Sequence, residues 1–306
     1  MRVSVILCTY SMDRYSDFSE AANSVLNQTY NNVELVVVVD GTDAVYERAT
    51  DDYGEKENVI LHCNEQNRGL SDSRNNGVEL ATGDVVAFID DDAVADSKWI
   101  AGLIDTYKRC GALAVGGKMT PAWVAGKPNY LPAEFYWLVG VTYRGFAEEV
   151  TEVRNTFSSN LSFRREVMLD LGGFQSNMGK QGSNDLQGAE TELCARMREE
   201  HGRGVVYNPE AMVAHKVFDY RTEPAWLVER AFWQGYSKQV MQTVRPGSTD
   251  RESKFLFQLI SEFIPERTKR LVNRPSIPNL LQLIMIAILT SAVGAGYGYA
   301  VLNRAV

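Results

Sequence analysis

The sequence predicts an α/β protein: a sheet flanked by helices, followed by one C-terminal transmembrane helix. Three observations carry this. The first ninety residues alternate apolar, β-branched runs with amphipathic segments in the order β-α-β-α-β-α-β, the pattern of a parallel sheet covered on both faces. Polar residues stand at the ends of three of these runs, at Thr9-Tyr10, Asp40 and Asp90-Asp91-Asp92. Finally, Pro275 to Asn303 holds no ionisable side chain other than tyrosine.

Met1 to Thr9 alternates and then runs apolar, giving the first strand, and Phe18 to Asn27 a helix. Val33 to Val39 is a strong strand ending at Asp40-Gly41. Asp43 to Tyr53 reads as a helix, Val59 to Cys63 as a strand and Asn64 to Leu70 as a polar loop. Ser71 to Ala81 is a helix closed by Gly83, and Val85 to Ile89 is a buried strand that ends in acid. A helix at Trp99 to Lys108 and a short strand at Ala112 to Gly117 follow. Thr120 to Arg144 is irregular and aromatic, either a border for an acceptor or core beneath a loop. Asn155 to Arg164 alternates as a strand, Glu166 to Leu171 makes a helical turn ended by Gly172-Gly173, and Lys180 to Gly188 is a glycine-rich loop. Glu190 to His201 is helical, Gly204 to Tyr207 a short strand, and Trp226 to Thr243 a helix. In that helix Trp226, Phe232, Trp233 and Tyr236 are spaced to pack on the sheet or a membrane surface.

With 306 residues, 45% hydrophobic and 23% charged, the chain has the composition of a folded protein. A net charge of −8 and the lack of a basic stripe argue against nucleic acid as a partner. Cys8, Cys63, Cys110 and Cys194 show no zinc spacing and read as reduced thiols in a cytosolic compartment. Leu280 to Leu302 is long enough to cross a hydrocarbon core. Arg267, Lys269, Arg270 and Arg274 precede it against Arg304 alone beyond it, so the positive-inside rule leaves the N-terminal part in the cytoplasm. Gly294, Gly296 and Gly298 keep a buried hairpin or an interfacial segment open as alternatives. The divisions expected are a domain over 1–245, a linker with a basic juxtamembrane segment over 246–274, and an anchor over 275–303.

Three carboxylates after a buried strand must open into a cleft or meet a counter-ion. In an extended chain Asp90 and Asp92 point to one side and Asp91 to the other. Such an oxygen-rich pair suits Mg²⁺ or Mn²⁺ with a diphosphate supplying further ligands, while an acidic loop without an ion is the plainer reading.

The motifs around these strand ends resemble those of inverting family 2 glycosyltransferases. They are Val3 to Tyr10, Glu34 to Gly41, Asn67-Arg68-Gly69-Leu70 with Ser73-Arg74-Asn75, and Phe88 to Asp92. Asn160 to Arg165, Gly172-Gly173-Phe174, Gly188 to Leu193 and His215 continue the resemblance over roughly residues 1–245. It implies a GT-A fold, with a Rossmann-like mixed sheet, and a nucleotide-sugar donor. It further implies that Thr9 and Tyr10 lie against base and ribose and that Asp40 accepts a hydrogen bond from the base. By the same resemblance Arg74 approaches the donor, Asp91 faces the ribose, and Asp90, Asp92 and His215 hold the metal. Many relatives read Gly-Glu-Asp-x-Glu-Leu at the catalytic base. Here Gly188-Ala189-Glu190-Thr191-Glu192-Leu193 places Glu190 there, with Glu192 the runner-up.

The layout is similar to archaeal members that add sugars, including hexuronic acid, to dolichol-phosphate-linked saccharides during protein N-glycosylation. The expectation is transfer of one sugar at a time to a lipid-linked saccharide acceptor at a membrane, since the processive Gln-x-x-Arg-Trp signature does not occur. A polyprenyl-phosphate sugar synthase, a cell-surface polysaccharide transferase and a non-catalytic membrane-tethered module are the alternatives. A nucleotidyltransferase would want a glycine- and base-rich opening loop, which Cys8-Thr9-Tyr10-Ser11 does not provide.

Overall fold

The computed structural model describes residues 1–176, 188–244 and 250–303. The glycine-rich loop, Gly188 apart, and Arg304 lie outside the described residues. The chain divides into two compact units.

The first unit comprises Met1–Thr120, the described part of Ala147–Asn184, and Ala189–His215. In chain order the elements are β1 (Val3–Thr9), α1 (Tyr15–Leu26), β2 (Val33–Asp40), α2 (Asp43–Tyr53), β3 (Val59–Asn64), α3 (Leu70–Leu80) and β4 (Val85–Asp90). Then come β5 (Ala93–Ala95), α4 (Trp99–Cys110), β6 (Ala114–Trp123), β7 (Thr151–Val153), β8 (Leu161–Arg164), α5 (Arg165–Asp170), α6 (Ala189–His201) and β9 (Val205–Val217). The sheet runs β3-β2-β1-β4-β8-β6-β9-β5, with β7 on β9. β3, β2, β1 and β4 are parallel, and β8 against β4 begins the antiparallel part, so the sheet is mixed.

β1 and β2 are buried along their whole length, as β-branched runs covered on both faces should be. One face is closed by α1, which buries Phe18, Ala21, Ala22 and Val25 at helical spacing against it. Of these, Phe18 and Val25 each contribute about 1.5–3 kcal/mol by their burial. Parallel register places Cys8 beside Asp90, Thr9 beside Val39 and Asp40 beside Asn64, so the polar ends expected from the sequence share one edge.

β9 is far longer than the strand read from Gly204 to Tyr207, because Asn208-Pro209-Glu210, a turn-like tripeptide, is held inside it. Asn208 instead donates to Thr106 Oγ1 and the Gly102 carbonyl, and its own Oδ1 accepts from Glu210 N–H. The strand expected over Asn155 to Arg164 is shortened to β8, with a 3₁₀ turn at Ser158–Asn160 before it.

The second unit comprises the described residues of Pro121–Phe146, Asp185–Gly188 and Lys216–Val306. It contains α7 (Pro224–Val244), α8 (Asp250–Gln258), a π-helical turn at Leu259–Phe263, α9 (Ile264–Asn273) and α10 (Ile277–Leu302). The segment read as a linker is thus helical where described. Within the aromatic stretch Ala133–Val139 is a 3₁₀ helix, and Phe135 and Tyr136 are core residues with Leu227, Met285, Ile286 and Leu289. α10 is long and apolar enough to cross a membrane. It also packs closely on α7: a Cβ on Gly235 would stand 2.0 Å from the Val293 carbonyl oxygen, and one on Gly296 would stand 1.9 Å from that of Phe232. The rings of Phe232 and Tyr236 accordingly meet Tyr299 of α10.

Candidate active site

The strand β4 stops at Asp90, and Asp91 and Asp92 form a turn into β5. Extended alternation therefore fails there, and the three carboxylates sort differently from the expectation. Asp90 Oδ1 accepts from Arg74 Nη2 at 2.5 Å. Arg14 Nη2 lies 2.8 Å from Asp92 Oδ2 and 3.4 Å from Asp91 Oδ1, so Asp91 and Asp92 share one guanidinium. Thr9 Oγ1 donates to Asp91 Oδ2 at 3.2 Å, tying β1 to the turn. β5 pairs with β9, setting Ala93 opposite His215, and this carries His215 Nε2 to 3.3 Å from Asp92 Oδ1. Burial pushes the Asp91 carboxyl up to about 6; Arg14 opposes this, and Asp92 and Asp90 add to it.

Arg74, expected to approach the donor, is buried. Its guanidinium lies over the rings of Phe174 and Phe88, at 5.5 and 5.9 Å, and bonds Ser158 Oγ at 3.3 Å. Asn75 holds that aromatic wall: its Nδ2 donates to the Phe174 carbonyl and its Oδ1 accepts from Phe174 N–H, both at 2.8 Å. The Asp90 N–H donates to Ser159 Oγ at 2.9 Å. Arg74 thus positions Asp90.

Asp40 is also occupied. Its Oδ1 accepts from Asn64 Nδ2 and Arg68 N–H and its Oδ2 from Gly69 N–H, all within 2.9 Å, which fixes the Asn67-Arg68-Gly69 loop. Gly41 is required beside it: φ is +73°, and a Cβ would stand 2.3 Å from Asn67 N. Tyr10 is exposed at the end of β1, its carbonyl accepting from Thr42 Oγ1.

The two candidate bases separate cleanly. Glu192 is fully buried, and Arg196 four residues on bonds both its oxygens, Nε to Oε1 at 3.2 Å and Nη2 to Oε2 at 2.6 Å. The same guanidinium donates to the Leu171 and Gly173 carbonyls, so this pair joins α6 to the Gly172-Gly173 turn. Glu190, in the first turn of α6, is half-buried, and no hydrogen bond or ion pair engages it among the described residues.

The donors that come together are Asp92 and His215, with Asp90 and Asp91 on the same turn. Carboxylate oxygens with one imidazole suit Mg²⁺ or Mn²⁺. Among the described residues the tightest ligand-type trio is elsewhere, at the exposed Asp170, Glu200 and His201. Asp90 would join a metal only by sharing or leaving Arg74.

Arg14 and Asn64 were not singled out in the sequence. Arg14 had a signal, a basic residue in a short turn just past the first strand end, where Ser11 accepts from Asp13 N–H. Asn64 had only its place at the end of β3; besides Asp40, it bonds Ser73 and Asn76.

A parallel sheet with an acidic turn at its strand ends, continued by antiparallel strands, is the GT-A arrangement of glycosyltransferases. The chain belongs to glycosyl transferase family 2, whose profile matches residues 4–172. It is 52% identical over 304 residues to the glucosyl-dolichyl phosphate glucuronosyltransferase of Haloferax volcanii, covering 99% of this chain and 97% of that one. It is 30% identical over 179 residues to the succinoglycan biosynthesis protein ExoM of Rhizobium meliloti, covering 58% of this chain and 53% of that one. Among solved structures it is similar to the mannosyltransferase PcManGT from Pyrobaculum calidifontis in complex with GDP-Man and Mn²⁺, with a TM-score of 0.59 at 17% identity over 97% of this chain and 86% of that one. It is also similar to S. aureus TarS 1-349 in complex with UDP-GlcNAc, with a TM-score of 0.56 at 16% identity over 96% of this chain and 82% of that one.

Proposed function

We propose that this glycosyltransferase moves one hexuronic acid, glucuronic acid, from a nucleotide-sugar donor to a dolichol-phosphate-linked glucose, with inversion, during assembly of a lipid-linked glycan. The observation that carries the reading is the 52% identity to the Haloferax volcanii glucuronosyltransferase across nearly the whole of both chains. The protein works at the membrane, with α10 as its anchor and the first unit in the cytoplasm. Arg267, Lys269, Arg270 and Arg274, on its N-terminal side, favour that orientation.

In this mechanism Glu190 takes the proton of the acceptor hydroxyl as that oxygen attacks the anomeric carbon. The bond to the diphosphate oxygen breaks on the opposite face, and the nucleoside diphosphate leaves with the electron pair. A half-buried carboxylate with no cation partner among the described residues is suited to accept that proton, whereas Glu192 is committed to Arg196. Asp90, Asp92 and His215 would hold the divalent cation, which neutralises charge developing on the diphosphate. Arg74 keeps Asp90 in place, Thr9 and Arg14 fix Asp91, and Asp40 shapes the loop bordering the nucleotide, against which Thr9 and Tyr10 lie. The test is a thermal-shift panel of UDP-, GDP- and dTDP-sugars with and without Mn²⁺ or Mg²⁺. One nucleotide family should stabilise the protein only with metal, and Asp92→Asn should abolish that stabilisation. Metal-independent stabilisation, or a shift retained in Asp92→Asn, would refute the metal assignment.

A further inference from the structure

Asp170 closes α5, and Glu200 and His201 close α6. Arg196, one turn before them, donates to the Leu171 and Gly173 carbonyls, so the two helix ends are held side by side. One ligand atom from each of the three side chains lies within 4.8 Å of the others, giving a trio of two carboxylates and an imidazole. α6 is 13 residues long and directs the negative end of its dipole at this place, which favours a cation.

The imidazole separates this trio from an ordinary acidic surface. Although His201 stands at the surface, its Nε2 is shut off from solvent and has no hydrogen-bond partner among the described residues. A polar atom cut off from water costs free energy unless a partner reaches it. Asp170 Oδ2 lies 3.9 Å away, too far for a hydrogen bond. Two ligands bonded to one zinc ion at about 2.0–2.2 Å stand about 3.4 Å apart in a tetrahedron. The 3.9 Å gap therefore needs to close by only about 0.5 Å, and none in the trio by more than about 1.4 Å. Rotation of the exposed Asp170 and Glu200 side chains covers that distance. A nitrogen donor beside two carboxylates suits Zn²⁺, which takes three such ligands with water in a fourth place, over Mg²⁺, which prefers oxygen alone.

We propose that Asp170, Glu200 and His201 bind a zinc ion that ties the end of α6 to the end of α5. The opposite end of α6 carries Glu190, so the ion braces the helix that presents this carboxylate. The site lies wholly in the first unit, on residues that the transfer mechanism leaves unused, and does not rest on the sugar-transfer reading.

The full chain, purified in detergent and stripped of metal with EDTA, is dialysed against Zn²⁺ or Mg²⁺. Every chain carries Asp92→Asn, which takes the acidic turn out of the comparison. One Zn²⁺ should bind, at least about a hundredfold tighter than Mg²⁺. Adding His201→Gln should weaken Zn²⁺ by at least about a hundredfold, more than the loss of an outer-shell partner does. Glu199→Gln, which removes a charge next to the trio, should change the affinity little. Zn²⁺ should also raise the melting temperature of the parent and not that of His201→Gln. If His201→Gln does not fold, Asp170→Asn decides, since that side chain is 71% exposed. Failure of Zn²⁺ to bind, or affinity unchanged in His201→Gln and Asp170→Asn, overturns the proposal. Mg²⁺ binding as tightly as Zn²⁺ makes the trio a carboxylate cluster only and overturns it as well.

Discussion

Arg74 Nη2 and Asp90 Oδ1 stand 2.5 Å apart, and this pair joins three motifs that are separate in sequence. Asn75 clamps Phe174, Phe174 and Phe88 face the Arg74 guanidinium, and the guanidinium holds the first aspartate of the acidic turn. The charge is mostly shielded, since the Arg74 side chain is 6% exposed and that of Asp90 27%.

Arg74→Gln should therefore lower stability by about 1.5–3 kcal/mol, the range for hydrogen bonds to charged groups. Arg74→Lys should recover only part of it, because a point charge lacks the planar contact with both rings. Denaturant midpoints of the three proteins check this; equal midpoints would show that the pair is incidental.

Glu190→Gln and Glu192→Gln should fail in different ways. Glu190→Gln should leave folding and donor affinity unchanged and cut turnover by about 10²–10⁴-fold, the range for a lost general base. Glu192→Gln leaves Arg196 buried without its counter-charge and should cost about 3–5 kcal/mol of stability. Turnover per folded molecule should survive in that variant. Thermal melts alongside initial rates separate the two, and the reverse assignment would move the base to Glu192.

Glu34 predicts an acid limit to stability. Burial works against its charge, but hydrogen bonds from Ser4 Oγ and from the N–H and hydroxyl of Thr82, with Arg2 2.6 Å away, hold the carboxyl below its ordinary 4.5. A depressed carboxyl stabilises the fold fully above pH 4.5 and loses that contribution as pH falls through the folded value. Glu34→Gln should be less stable than the parent at neutral pH, and the gap should close as pH drops below 4.5. A gap that is constant with pH would contradict this.

The strands that carry the site were legible because their composition is unambiguous: Val33 to Val39 and Val85 to Ile89 are dominated by β-branched and apolar residues, and their acidic ends must open into a cleft or meet polar partners. The alternation of Asp90, Asp91 and Asp92 was misread because it assumed extended chain past Asp90, where a turn intervenes. β9 was hidden by Pro209, whose usual meaning is a turn, and α8 and α9 by charge: their apolar residues are few and bunched, Phe255-Leu256-Phe257 in one and Leu271-Val272 in the other. Arg14 and the Arg196 partner of Glu192 depend on tertiary neighbours. The Glu192–Arg196 spacing of four could have been read from the sequence, and the place of Arg14 just past the first strand end hinted at its role without naming its partners.

The central claim is transfer of a hexuronic acid onto a dolichol-phosphate-linked glucose with Glu190 as base. The direct measurement incubates the full chain and Glu190→Gln with a nucleotide-glucuronic acid donor, Mn²⁺ and a polyprenyl-phosphate glucose acceptor, and analyses the product by mass and anomeric configuration. The parent chain should add one hexuronic acid with inverted configuration, and the variant should give little product. Addition of a hexose, retention of configuration, or full activity in Glu190→Gln would contradict it.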